Sequence, residues 1–423
     1  MQQSKPLTLR RNFSWTLVGN VVYAACQWGM LVVLAKLGSR EIVGQFTLGL
    51  AVTAPVLMLA NLQLRAVQVT DARHEYRFGD YLGLRLVTTG LALLVIILIT
   101  VVAGYRWETS LIILVVGLAK AVESVSDVFY GLLQQHERMD RIALSMMIKG
   151  PLSLLLLGIG VYLTGQVLWG VVGLAVAWSV VLVGFDIRSG ALMLGSISNP
   201  IATALRPRWQ MKTLRKLVWI ALPLGFVMML LSLNTNIPNY LIERYLGERE
   251  LGVFAAIAYL MVAGSMVVSA LGESASPRLA KYYESGNNAA FRTLLLKMVG
   301  ISVLLGGAGV LVAAIGGRQL LTLIYRPEYA EHADLFVWLM VVAGIGYVSS
   351  FLGCGMTAAR YFGVQMPLFA LVTTITAIAG LWLIPTKGLQ GAAIALLIAV
   401  IVRASMSLGV ILHALHHKRT ATE

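Results

Sequence analysis

Residues 117–133 read GLAKAVESVSDVFYGLL and place Lys120, Glu123 and Asp127 in a run otherwise apolar enough to cross a membrane. At about 100° per residue the three positions fall within roughly 60° of one another on a helix, with Ser124 and Gln134 close to the same stripe. A charged side chain at mid-membrane costs at least about 2.5–3.5 kcal/mol, so it faces a partner or a water-filled cavity. The chemistry such a seam offers is binding and charge compensation. Lys149 and Arg403 also lie inside apolar runs, and Arg65 and Arg85 sit at the ends of two others. Lysine binds a phosphate as a point charge, whereas arginine binds it through a planar fork of donors. For Arg65 and Arg85 a plainer role is to snorkel as anchors of their spans. For Lys120, contact with an anionic ligand and an internal ion pair with Glu123, three residues on, weigh equally. Glu123 and Asp127 would repel a phosphate. They either neutralise Lys120 and Lys149, bind a coupling proton or sodium ion, or belong to a purely structural network.

A second constellation lies in PLGFVMMLLSLNTNIPNY (223–240), where Pro223 and Pro238 bracket Ser232, Asn234, Thr235, Asn236 and Asn239. Interrupted spans rich in hydrogen-bonding side chains point to binding sites in membrane proteins, and Asn and Thr suit sugar hydroxyls. The sequence predicts a bend there, with Asn234, Asn236 and Asn239 facing a cavity. Polar helix–helix contact is the competing reading. Asn20, Gln27, Asn61 and Gln63 in the first two spans are weaker candidates.

The elements that position these residues follow from composition. The 423 residues are 58% hydrophobic and 12% charged, with a mean hydropathy of +0.81. A soluble domain carries about 25% charged residues, so this is an all-α polytopic membrane protein. About twelve apolar stretches have spanning length, near 13–35, 42–64, 82–104, 110–133, 142–164, 167–190, 217–241, 251–272, 293–315, 335–356, 365–384 and 389–411. With both termini on one side, that side carries 22 Lys and Arg against 8 on the other, and three lie within spans. The positive-inside rule makes the richer side, and both termini, cytoplasmic. The net charge of +14 is therefore a topology signal, and nucleic acid is not an expected partner. Cys26 and Cys354 both fall inside spans and imply neither a disulfide nor a metal site.

The two halves resemble each other. LGSREIVGQF (37–46) recurs as LGERELGVF (246–254), FYGLLQQHER (129–138) as FLGCGMTAAR (351–360), and GVVGLAVAWS (170–179) as GLQGAAIALL (388–397). The offsets are about 208, 222 and 218, and six spans per half make the repeats parallel, with a binding site expected between them. The expected organisation is a six-helix lobe at 1–190, a cytoplasmic interfacial linker at 191–216, a second six-helix lobe at 217–411 and a tail at 412–423. In the linker Trp209, Met211 and Leu214 would face lipid while Arg206, Arg208, Lys212, Arg215 and Lys216 meet headgroups.

LGSREIVGQF, the later PRLAKY (277–282) and LIP with GLQGAA (383–393) resemble the polysaccharide transporters of the multidrug/oligosaccharidyl-lipid/polysaccharide exporter superfamily, which includes the Wzx-type O-antigen flippases. The resemblance covers essentially the whole chain. It implies two six-helix lobes around a central cavity that opens alternately to each side of the bacterial inner membrane. It also implies a flippase that moves an undecaprenyl-pyrophosphate-linked oligosaccharide from the cytoplasmic to the periplasmic leaflet, as in O-antigen and lipopolysaccharide assembly. The implied partners are the polyprenyl-pyrophosphate-linked glycan, membrane lipids and other polysaccharide-assembly proteins. No cofactor is expected beyond a coupling proton or sodium ion. Some flippases of peptidoglycan precursor place arginines within the first span, where this chain offers Asn20 and Gln27. A cation-coupled multidrug antiporter of the same superfamily is the alternative, with a more apolar or acidic cavity. An oligosaccharide polymerase would need a sizeable outer loop with catalytic side chains, and the longest such loop, 316–334, carries only Glu328, Glu331, His332 and Asp334. No Gly-rich Lys-Ser/Thr phosphate loop is present, which excludes direct use of ATP.

Overall fold

An apolar chain in hydrocarbon must satisfy its own backbone, and here it does so along helices. The computed structural model describes residues 9–71, 75–195 and 205–420. The chain divides into two compact units, Met1–Ser232 and Leu233–Glu423.

The first unit holds α1 (Leu9–Leu37), α2 (Arg40–Asn61), α3 (Leu64–Thr70), α4 (Phe78–Ala103), α5 (Trp107–Gln135) and α6 (Met139–Thr164). α7 (Val167–Val181) and α8 (Ile187–Gly195) follow, joined by a π-helical turn at Leu182–Asp186. α9 (Met211–Leu246) runs across the division between units. The second unit continues with α10 (Glu248–Tyr259), α11 (Met261–Glu284), α12 (Asn288–Ile324), α13 (Ala333–Ala358) and α14 (Phe362–Thr420). Among the described residues ten segments are long and apolar enough to cross a membrane. α14 breaks at Gly388 (φ 61°, ψ −140°) into two arms. With these arms counted separately, and with the 29-residue α5 that carries the charged seam, the described residues hold twelve helices of spanning length.

In the first unit α5 is central, packed by α2, α3, α4 and α7, while α1 lies along α6. Gly19 makes the α1–α6 approach close, because a Cβ there would stand 2.8 Å from the Cα of Ala143. The outer face of α4 presents Leu91, Leu94, Leu98, Val101 and Val102, a stripe suited to lipid. In the second unit α13 packs against α11, α12 and α14, and Phe291, Leu295, Tyr347, Phe351 and Leu368 are buried together.

The turns carry the internal repeat more clearly than the motifs do. α5 ends on left-handed Glu137 (φ 54°), with Arg138 N–H donating to Leu133 O; α13 ends on left-handed Arg360 (φ 62°), with Tyr361 N–H donating to Met356 O. Gly165 (φ 68°) closes α6 as Gly388 closes the first arm of α14. Both pairs lie 223 residues apart. The match of 170–179 with 388–397 is thus five residues out of register, because small residues recur along both helices and only the turn fixes the phase.

The segment between 191 and 216 lies partly outside the described residues, which omit 196–204, and 421–423 of the tail are likewise outside. Where it is described, it binds its own unit. Arg208 N–H donates to Gly79 O at 2.8 Å, the Arg208 guanidinium meets Asp80 at 3.4 Å, and Lys216 pairs with Glu75. Leu214, expected to face lipid, is instead buried with Leu217, Ala221, Tyr76 and Phe78, while Trp209 and Met211 are exposed. A separate linker helix does not form in 205–216; the helix that starts at Met211 is already the seventh span.

Candidate functional site

Lys120, Glu123 and Asp127 do share one face of α5, and that face borders a cavity of about 620 Å³ inside the first unit. α1 contributes Thr16 and Asn20, α6 contributes Met139, Ile142 and Met146, and α9 contributes Met228. Asn61, Gln63 and Arg65 come from the junction of α2 and α3. That junction is strained: Leu62 and Gln63 are consecutive non-glycine residues with φ near 50°. Such backbone costs of order 1–3 kcal/mol per residue and persists where surrounding structure demands it. Here Leu62 is anchored in the core while its neighbours Asn61 and Gln63 line the cavity.

The charges of the lining are matched in pairs. Lys120 Nζ donates to Glu123 Oε2 at 2.8 Å, and Tyr23 OH donates to Glu123 Oε1 at 2.7 Å. The Lys120 ammonium also lies 5.0 Å from the centre of the Trp178 ring. Arg65 Nη1 meets Asp127 Oδ1 at 3.5 Å, and its Nε donates to Gln134 Oε1 at 2.9 Å. These four ionisable side chains are about 30% exposed, which leaves donors and acceptors open to the cavity. The lining is therefore charge-balanced.

Arg85 and Lys149 lie behind the cavity wall and do not line it. Arg85 is fully buried, with Nη2 3.2 Å from Asp127 Oδ2 and Nη1 on Asn61. It is a prop for Asp127, not an anchor at a mouth. Lys149 is 1% exposed and donates to Tyr130 OH at 3.0 Å, with Asp186 Oδ2 at 3.8 Å. Ser145 Oγ donates to Asp186 Oδ1 at 2.5 Å and lies 2.7 Å from Tyr130 OH. A buried ammonium is stable only with such partners. Sequence reasoning missed Asp186, Tyr130 and Tyr23. Asp186 closes the π-helical turn, whose extra residue shifts the phase of the helix; i,i+3 and i,i+4 spacing could not have found it. Tyr130 was within reach, since it follows Asp127 by three residues.

In the second unit Asn234 Oδ1 accepts from Thr376 Oγ1 at 3.0 Å, and Asn239 Nδ2 donates to Asn236 Oδ1 at 3.2 Å. α9 runs as one helix through Pro223 and Pro238. In the second unit Arg403 borders another cavity, of about 360 Å³, formed by α11, α13 and α14. Among the described residues no group of three or more His, Cys, Asp or Glu is arranged to hold a metal ion.

The chain is similar to the capsular polysaccharide biosynthesis protein CapF of Staphylococcus aureus, 28% identical over 408 residues that cover 92% of this chain and 96% of CapF. Its fold is similar to that of a multidrug resistance MATE family transporter of the MOP superfamily, a structure solved in an inward-facing conformation (TM-score 0.68, 15% identity, 96% of this chain and 98% of the other). The lipid II flippase MurJ in an inward closed conformation is also similar (TM-score 0.65, 12% identity, 96% and 91%). The model of the polysaccharide biosynthesis protein family matches residues 9–283, nearly two thirds of the chain, and the chain belongs to that family.

Proposed function

We propose that this protein is a flippase for a lipid-linked glycan. It moves an undecaprenyl-pyrophosphate-linked oligosaccharide from the cytoplasmic to the outer leaflet of a bacterial cytoplasmic membrane by alternating access, with both termini cytoplasmic and no bond chemistry of its own. The observation that carries this reading is the first unit's cavity. Amides from Asn20, Asn61 and Gln63, hydroxyls from Thr16 and Tyr130 and four half-buried ionisable groups surround a space inside a bundle with apolar outer faces. A lining of that kind hydrates a glycan headgroup that hydrocarbon would exclude. Lys120 and Arg65 retain donors for the cargo beyond those spent on Glu123 and Asp127. CapF supports a capsular glycan over an O-antigen as the cargo. In the same reading Glu123 and Asp127 are the groups through which a proton or sodium gradient would act.

Deleting the protein in its host should accumulate one lipid-linked oligosaccharide, identified by mass spectrometry. Purified protein in liposomes should then expose a fluorescent form of that lipid to an external quencher. Unchanged lipid pools, with gradient-driven export of a lipophilic cation, would establish the multidrug antiporter instead.

A further inference from the structure

The first unit pairs every charge of its cavity, but the second unit's cavity does not. At about 360 Å³ it falls within the range of small-molecule sites. Arg403 reaches it from the second arm of α14, its guanidinium carbon 5.1 Å from the centre of the Phe369 ring. That stacking orients the fork. Gly353 faces the guanidinium, with Nη2 3.9 Å from where a Cβ would stand, so position 353 puts no side chain in that space. Among the described residues Arg403 forms no ion pair, unlike Arg65, Arg85, Lys120 and Lys149. Glu273 borders the same space without bonding to it, and Ser350, Ser407 and Thr357 add hydroxyls.

An intramembrane guanidinium with no carboxylate partner is costly, and an incoming anion relieves the cost. We propose that this cavity is the seat of the cargo's pyrophosphate. Arg403 binds phosphate oxygens through parallel N–H donors, and the hydroxyls of Ser350 and Ser407 complete the shell. Glu273 weakens the hold by like-charge repulsion, so the anion is captured and still released, as any transport site requires. This assignment rests on the flippase reading above.

The test uses the full-length protein in nanodiscs, titrated with undecaprenyl pyrophosphate and with uncharged undecaprenol and read by native mass spectrometry. Arg403→Ala should weaken pyrophosphate binding about tenfold, equivalent to about 1.4 kcal/mol. Arg403→Lys should fall between, because it keeps the charge and loses the fork. Glu273→Gln should bind more tightly than wild type, and Lys387→Ala, a charge control in an exposed position, should match wild type. If Arg403→Ala does not fold, Arg403→Lys and Glu273→Gln decide the matter. Wild-type affinity in the Arg403 and Glu273 variants would overturn the seat while leaving the flippase reading intact. A wild-type protein that does not prefer the pyrophosphate over undecaprenol would overturn both. Displacement by phosphatidylglycerol at equal concentration would reassign the seat to a bilayer headgroup and overturn it as a cargo site.

Discussion

At the scale of single residues, five cations in or near spans do three kinds of work. Lys120 and Arg65 face the first cavity half-exposed, Arg85 and Lys149 are sealed behind it, and Arg403 stands alone in the second unit. Their substitutions should separate cleanly. Lys120→Ala should abolish complementation of a deletion strain while the protein still inserts, and Lys120→Arg should keep part of the activity. Loss of the protein in Lys120→Ala, with rescue by removing Glu123 as well, would show that the 2.8 Å pair serves the fold alone. Arg85→Ala should behave differently. It strips the fully buried guanidinium from Asp127 and Asn61 and leaves its volume empty, while Asp127, about 30% exposed, keeps Arg65. The expected outcome is a marked fall in thermal stability in detergent before any effect on cargo is measurable. Lys149→Ala should follow Arg85→Ala, since Asp186 would lose its only cation within 4 Å among the described residues.

At the scale of elements, the positions that matter are interruptions of helices. The Leu62–Gln63 junction turns Asn61, Gln63 and Arg65 toward one space, and the π-helical turn brings Asp186 to Lys149. Gly388 joins the two arms of α14 with φ 61° and ψ −140°, a conformation open essentially to glycine. Gly388→Ala should therefore destabilise the second unit by about 1–3 kcal/mol, read as a lower melting temperature with the first unit's cavity chemistry unchanged. On α9, Asn234 is tied to Thr376 of the same unit, so Asn234→Ala with Asn236→Ala tests whether these amides serve cargo or packing. Reduced flipping at normal protein level supports the cargo role, and a lowered protein level supports packing.

At the scale of the whole molecule, the 22-to-8 distribution of Lys and Arg is the ground for the proposal that both termini are cytoplasmic. Reporter fusions after residue 423 and after Gly165 should report opposite sides of the membrane; the same side for both would refute the proposed topology. What the sequence determined by itself is whatever depends on local composition and period. Spanning helices follow from apolar length, and the shared face of Lys120, Glu123 and Asp127 follows from helical pitch. The Lys120–Glu123 pair also follows from pitch, because those side chains meet wherever the helix forms. Tertiary structure decided which side each charge faces and what it meets. Arg85 and Arg65 look alike in sequence, each basic and each at a span end, yet one is buried under Asp127 and the other opens to the cavity. Arg85 lies within the stretch of α4 that packs on α5, whereas Arg65 follows the strained α2–α3 junction and borders the cavity. Leu214 turned inward for the same reason: an amphipathic stretch can face lipid or a core, and only the neighbouring Tyr76 and Phe78 settle which. Period fixes the faces of a helix, and packing fixes what each face meets.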